Sequence, residues 1–286
     1  MKPFLPSGLL LILVILSFNS FTQDTKIYQS DKLTKKWETK PVFQVPESVC
    51  FDAERNVLYV SNINGKPTDQ DGNGYISKCS LTGEILEQKW ITGLDAPKGM
   101  GVYKNLLYVS DIDRVAEIDI ISGKINRFFE TADAKFLNDI AIDDQGNVYI
   151  SDMNSNKIYR ISGGKISVWL DDALTPNPNG LFVDVKNLLI GCGKIVKTDL
   201  VSRKPAVMID NTGSIDGLEG TGDGRYLFSD WKGNVYLTGT DLSIEKILNL
   251  TPAGMNAADI EYIPSKKLLL VPTFSNNRVI AFELKY

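Results

Sequence analysis

Along most of the chain, apolar and polar positions alternate with a period of two in short runs that stop at Gly, Asp, Asn or Ser. That is the pattern of half-buried strands joined by tight turns, and turns such as "SLTGE", "IISGK" and "RISGGK" fit it. One phrase recurs: an apolar strand, a turn, then a second apolar strand ending in Ser-Asp or a relative. The second strands read "VLYVSN" to Asn62, "LLYVSD" to Asp111, "NVYISD" to Asp152, "NLLIGC" to Cys192, "RYLFSD" to Asp230 and "KLLLVPT" to Thr273. Before each stands a dipeptide that opens a first strand: Glu47-Ser48, Lys98-Gly99, Asn138-Asp139, Asn179-Gly180, Asp216-Gly217 and Ala258-Asp259. The intervals between them are 51, 40, 41, 37 and 42 residues. Periods near 40 with four strands each predict propeller blades. The expected fold is all-β, a six-bladed β-propeller.

The last repeat offers about three strands before Tyr286, whereas "KKWETKPVFQV", Lys35 to Val45, is strand-like and has no repeat of its own. An open ring leaves two sheet edges that invite aggregation. The N-terminal segment is therefore predicted to supply the outer strand of the sixth blade. One run breaks the alternation: Leu9 to Leu16 is continuously apolar, follows Lys2, and precedes Ser20 and Thr22 at the positions of a cut before Gln23. Residues 1–22 read as a secretory signal peptide and 23–286 as one propeller domain, secreted or periplasmic. The run falls short of the roughly 20 residues a membrane span needs, so no integral membrane segment is expected in the mature chain.

Composition narrows the chemistry. Removing Lys2 lowers 31 basic residues to 30 against 35 acidic ones, and without a basic stripe a nucleic-acid partner is excluded. Three cysteines, Cys50, Cys79 and Cys192, are too few for a disulfide framework. The chain has no histidine. This removes the commonest general base and the commonest transition-metal ligand, and leaves Cys192 without a base to activate it. A metal site must then be built from oxygen, which favours Ca²⁺, with Mg²⁺ or Mn²⁺ next and Zn²⁺ less suited.

In a propeller the first strand of each blade lines the central channel, and successive strands alternate in direction. The six dipeptides therefore gather at one mouth, together with the loops from second to third strands. The ring reads Glu47, Lys98, Asn138, Asn179, Asp216 and Ala258. Two carboxylates converging with two amides suit a hard divalent cation. The competing reading is that Lys98 neutralises the carboxylates around channel water.

The phrases "VPESVCFD", "FLNDIAIDDQGNVYISD", "NPNGLFVD" and "IDGLEGTGDGRYLFSD" resemble the senescence-marker-protein (regucalcin)/gluconolactonase family of six-bladed propellers across essentially the whole mature chain. The resemblance implies one divalent cation, often calcium, held by Glu47, Asn179 and Asp216, with Asp216 also acting as base and Asn138 contacting the substrate. It implies hydrolysis of a small-molecule lactone or ester. Where gluconolactonase-like members carry an arginine two residues before that asparagine, this chain has Phe136, which points to a less polar substrate, with Lys98 placed to replace the missing cation. Metal-assisted hydrolysis would use Asp216 to take the proton and Lys98 and Asn138 to stabilise the developing oxyanion. A second reading stays open: a non-catalytic exported propeller that binds a glycan, peptide or protein around a structural ion, since "YVSD", "YISD" and "FSDW" resemble the repeats of such modules.

"TDQDGNGYISKCS", Thr68 to Ser80, imitates a calcium loop, with Asp69, Asp71, Asn73 and Gly74 at positions 1, 3, 5 and 6 of the EF-hand pattern. Position 12 is Ser80 rather than glutamate, and the flanks read as strands. From Tyr59 to Gly83 is 24 residues, while the equivalent Tyr108 to Gly123 is 15. The segment is thus expected to be a nine-residue hairpin insertion at the mouth, forming a partial lid.

Overall fold

A computed structural model describes Met1 and residues 27–285. Apart from Met1, the predicted signal peptide lies outside the described residues. Among those described, no helix is long and apolar enough to cross a membrane.

Six antiparallel sheets form the blades of a ring. Blade 1 runs through Pro46–Asp52, Val57–Asn62, Gly74–Cys79 and Ile85–Leu94, and blades 2 to 4 repeat that order from channel to rim. The apolar face of each sheet is covered by its neighbour. Six core clusters accordingly lie between consecutive blades, for example Tyr59, Ile76 and Leu94 of blade 1 against Leu107, Val109 and Ile118 of blade 2. Tyr149 and Trp169 of blade 3 meet Leu188 and Val196 of blade 4 in the same way.

The ring closes as the missing strand required. Leu33–Glu38 pairs antiparallel with Val279–Leu284 and completes blade 6. The strand is shorter than the predicted Lys35 to Val45: Thr39 to Val45 instead forms a connector that ends on Val45 in a left-handed conformation (φ 54°). Trp37 fastens the closing strand to blade 1, donating from Nε1 to the Leu81 carbonyl at 2.9 Å. Its ring lies against Gly83, where a Cβ would come within 2.7 Å of it. A pairing the alternation does not signal, Tyr28–Gln29 on Ile244–Asn249, adds a fifth strand to blade 5.

The repeated phrases have a physical cause in the ladder. In blade 1, Pro46 pairs with Asn62 and Val49 with Val60, so Glu47-Ser48 opposes the single residue Ser61. Lys98-Gly99 opposes Ser110 and Asn138-Asp139 opposes Ser151 in the same way. These three dipeptides are β-bulges, two residues against one, which turn the first side chain into the channel. The serine hydroxyl satisfies the N–H that the bulge displaces: Ser61 Oγ accepts from Ser48, Ser151 Oγ from Asp139 and Ser229 Oγ from Gly217, each at 2.9 Å. The residue after the serine caps the strand end. Asp111 accepts from the N–H groups of Asp95 and Ala96, and Asp152 from those of Lys135 and Phe136, holding the incoming loop. Where the second bulge residue is glycine, the next blade comes close: a Cβ on Gly217 would lie 2.4 Å from the Ile260 nitrogen.

Candidate functional site

The channel mouth holds a cavity of about 480 Å³. Glu47, Lys98, Asn138, Asn179 and Asp216 all line it. The sixth ring residue, Ala258, is fully buried, and its carbonyl accepts from Ser229 Oγ at 2.7 Å. Phe136 lines the cavity as well. Every residue that the repeat phase places at the mouth, Ala258 excepted, therefore faces one space.

Asn179 donates from Nδ2 to Asp216 Oδ1 at 2.7 Å. The other oxygen, Asp216 Oδ2, and Glu47 Oε2 are buried and have no hydrogen-bond partner among the described residues. Burial pushes Glu47 well above the usual carboxylate range, and the nearby Asp216 charge adds to the effect, against the pull of Lys98. Burial likewise lifts Asp216 to about 7, against the hydrogen bond from Asn179. Lys98 is 1% exposed. Its ammonium donates to the Ala96 carbonyl at 2.9 Å and sits 4.6 Å from the centre of the Phe136 ring. Burial lowers it to about 8, opposed by Glu47 and Asp111. The Asn138 amide donates to Met153 Sδ at 3.0 Å, a weak acceptor.

Below this floor lies a second polar layer that the ring alone did not predict. Asp139 accepts from Leu181 N and Ile140 N at 2.6 Å each, Ser48 donates to Asp259 Oδ2 at 2.6 Å, and Asp139 and Asp259 come within hydrogen-bonding reach of each other. Deeper still, Glu261 accepts from the Phe51 N–H at 2.8 Å beside Glu219. Burial raises all four carboxyls, Asp139 to about 7 and Glu261 to about 8. Repeat phase marks them: Asp139 and Asp259 stand one step below the ring in blades 3 and 6, and Glu219 and Glu261 three steps below it in blades 5 and 6.

Most of the rim above the floor is apolar and follows the repeat, with Asn177 and Ser214 as its polar members. The residue directly after each capped strand end is Ile63, Ile112, Met153, Gly193, Trp231 or Phe274. All but Ile112 line the cavity, and Ile112 packs beneath it with Ile63, Ala96 and Phe274. Trp231 and Phe274 meet edge to face with ring centres 5.5 Å apart. Asn256 ties their loops together, donating to the Trp231 carbonyl at 2.9 Å and accepting from Ser275 N at 3.4 Å. Phe274 has a φ of 46°, a left-handed backbone that a bulky residue adopts only under strain.

The insertion is a hairpin between two strands, not a helix-flanked calcium loop. Its tip leans onto blade 2: Gly72 N donates to Asp95 Oδ1 at 2.9 Å and Gln70 Nε2 to Asp113 Oδ2 at 3.0 Å. Only Ile63 and Pro67 of this connection reach the cavity, so it forms part of a side wall where a lid was expected. Cys192 also lines the cavity, but burial holds its thiol up at about 11, protonated at neutral pH.

No protein-family model and no curated protein sequence matches the chain. Among solved structures, the chain is similar to a streptogramin B lyase, with 13% identity over 88% of this chain and 97% of that one and a TM-score of 0.64. It is also similar to a catalytically inactive histidine-to-alanine variant of virginiamycin B lyase from Staphylococcus aureus solved with quinupristin, with 16% identity over 88% and 99% and a TM-score of 0.62. A WD40 β-propeller domain matches with 13% identity over 82% of this chain and 77% of that one, at a TM-score of 0.61. At these identities the likeness carries the fold alone, and by fold this chain is a six-bladed β-propeller protein.

Proposed function

We propose that the protein is a divalent-cation-dependent hydrolase of lactones or related esters, of the senescence-marker-protein/gluconolactonase type, working in an exported compartment. The observation that carries this reading is the pair of buried carboxylate oxygens, Glu47 Oε2 and Asp216 Oδ2, left without partners on the floor that Asn179 shares. Orphaned buried carboxylate oxygens are costly unless protonated or matched by a cation. A set made only of carboxylate and amide oxygens suits Ca²⁺, with Mg²⁺ or Mn²⁺ as the alternatives. The residues present fit such an ion, and Glu47, Asn179 and Asp216 would hold it. When bound, it would supply Lewis acidity toward an acyl oxygen and toward water.

The chain's own residues account for the rest of the reaction. Water adds its oxygen to the acyl carbon and the ester C–O bond breaks. Asp216, fixed through Oδ1 by Asn179, takes the water proton on Oδ2 and returns it to the leaving oxygen. Asn138 holds only a thioether contact, so its amide can turn to the developing oxyanion at little cost. Lys98 offsets the negative floor. A lyase route that depends on histidine has no counterpart here, because the chain contains none.

The test is metal analysis of the purified protein together with a lactone and aryl-ester panel, with and without chelator. One bound calcium and turnover abolished by chelation are expected. Turnover indifferent to chelation in metal-free protein would overturn the proposal, and cation-dependent ligand binding without turnover would favour a binding module.

A further inference from the structure

We propose that the cavity selects neutral, aromatic lactones and esters and turns away polyhydroxylated or anionic ones. This inference rests on the hydrolase reading and names its substrate class.

The charged side chains of the cavity are confined to the floor, and Asn177 and Ser214 are the exposed polar residues above it. Above it, the wall is built from Ile63, Phe136, Met153, Trp231 and Phe274, with Pro67 and Pro176 between them. A sugar ring would have to surrender the hydration of several hydroxyls to this wall, and each buried hydroxyl without a partner is costly. An anionic substrate meets a second obstacle. Lys98 is the one basic residue among the described residues that line the cavity; its ammonium donates to the Ala96 carbonyl, lies against the Phe136 ring, and is outweighed by the Glu47 and Asp216 carboxyls beside it. Phe136 thus acts twice: it occupies the space beside Asn138 and covers the cation that would otherwise greet a carboxylate.

An aromatic group finds a built seat. Trp231 is 49% exposed and holds its ring against Phe274 at the rim, while Asn256 fixes both loops. An exposed tryptophan with a fixed ring is a ready stacking surface, and edge-to-face or offset contacts favour an aromatic guest. Phe274 shares this seat: its backbone sits at φ 46°, strained for a bulky residue, and its ring packs on Ile63, Ala96 and Ile112 while facing the cavity. The cavity volume of about 480 Å³ is in the range of small-molecule sites.

The experiment separates binding from turnover. Dihydrocoumarin, a neutral aromatic lactone, and gluconolactone, a polyhydroxylated one, are titrated against the full protein in chelator while tryptophan fluorescence is followed, and then assayed for hydrolysis with calcium. Dihydrocoumarin should quench fluorescence saturably, gluconolactone should not, and with calcium kcat/KM should favour dihydrocoumarin by about 100-fold. Trp231→Ala should raise the dihydrocoumarin Kd by about tenfold without changing calcium affinity. Phe274→Asn, whose asparagine tolerates the left-handed backbone, should weaken binding similarly, with the relief of backbone strain offsetting part of the packing lost on Ile63 and Ile112 so that the protein stays folded. If dihydrocoumarin fails to bind, or if both variants bind it like the parent, the inference is overturned, even where gluconolactone is hydrolysed. Saturable binding of dihydrocoumarin with no turnover of any ester leaves the aromatic preference standing and removes the hydrolase reading instead.

Discussion

Asp216 carries the sharpest consequence at the scale of single residues. Its Oδ1 is fixed by Asn179 and its Oδ2 has no partner in the cavity floor. Asp216→Asn keeps the shape and removes both the charge and the proton-accepting oxygen. On the proposed mechanism kcat for a lactone falls by about 10² to 10⁴, and the thermal shift produced by calcium shrinks with it. Activity equal to the parent would remove Asp216 from the reaction. This residue and its four companions were legible because repeat phase fixes place: once the dipeptides are aligned, Glu47, Lys98, Asn138, Asn179 and Asp216 must meet. Of the rim, Trp231 alone stands out in the sequence, as an aromatic beside Asp230 at a strand end near the mouth that suits a sugar face, with core packing the plainer reading; Met153 and Phe274 obey the same phase but are different residue types at one position and look like ordinary core. Only coordinates reveal that they face a cavity rather than a neighbouring blade. The engagement of Lys98 by the Ala96 carbonyl and the Phe136 ring was equally hidden, since it depends on side-chain direction.

Among the elements, the closing strand is the most exposed to test. Leu33–Glu38 supplies blade 6 with its outer edge, and Trp37 clamps that edge to the Leu81 carbonyl and Gly83 of blade 1. Deleting residues 27–38 would leave Val279–Leu284 unpaired on one side, a strand edge open to other chains. A marked drop in Tm with concentration-dependent aggregation is expected by scanning calorimetry and light scattering. An unchanged Tm would mean that the ring does not need the strand. Its role was readable because the last repeat lacked a strand, whereas its bounds were not. "KKWETKPVFQV" alternates well beyond Glu38, but the connector leaves the sheet once Thr39 N bonds the Val279 carbonyl and Val45 turns left-handed. The two-residue strand Tyr28–Gln29 is too short to show any period.

For the whole molecule, the channel is a column of carboxyls with few cations, and this sets a pH dependence. Burial raises Asp139 and Asp216 to about 7 and Glu261 to about 8, with Glu47, Glu219 and Asp259 raised as well. Near pH 4 and below, folded and unfolded chains both hold these protons, and the carboxyls cost little. As pH rises toward 8 the unfolded chain releases protons that the folded chain retains, so stability falls across that window. With no histidine in the chain, no imidazole titration overlays the effect. Tm measured in chelator should therefore decline from pH 5 to pH 8, and calcium should restore most of the loss at pH 8; a flat or rising profile would show that the column is not protonated as described. The bulges that build the channel have a further consequence. Because serine hydroxyls, not the ladder, satisfy the backbone at Ser48, Asp139 and Gly217, the side chain in front of each is free of any duty to the sheet. The mouth is a set of sockets on a fixed frame, whose side chains answer to one another across the channel and can be exchanged to retune ion or substrate while the blades keep their register.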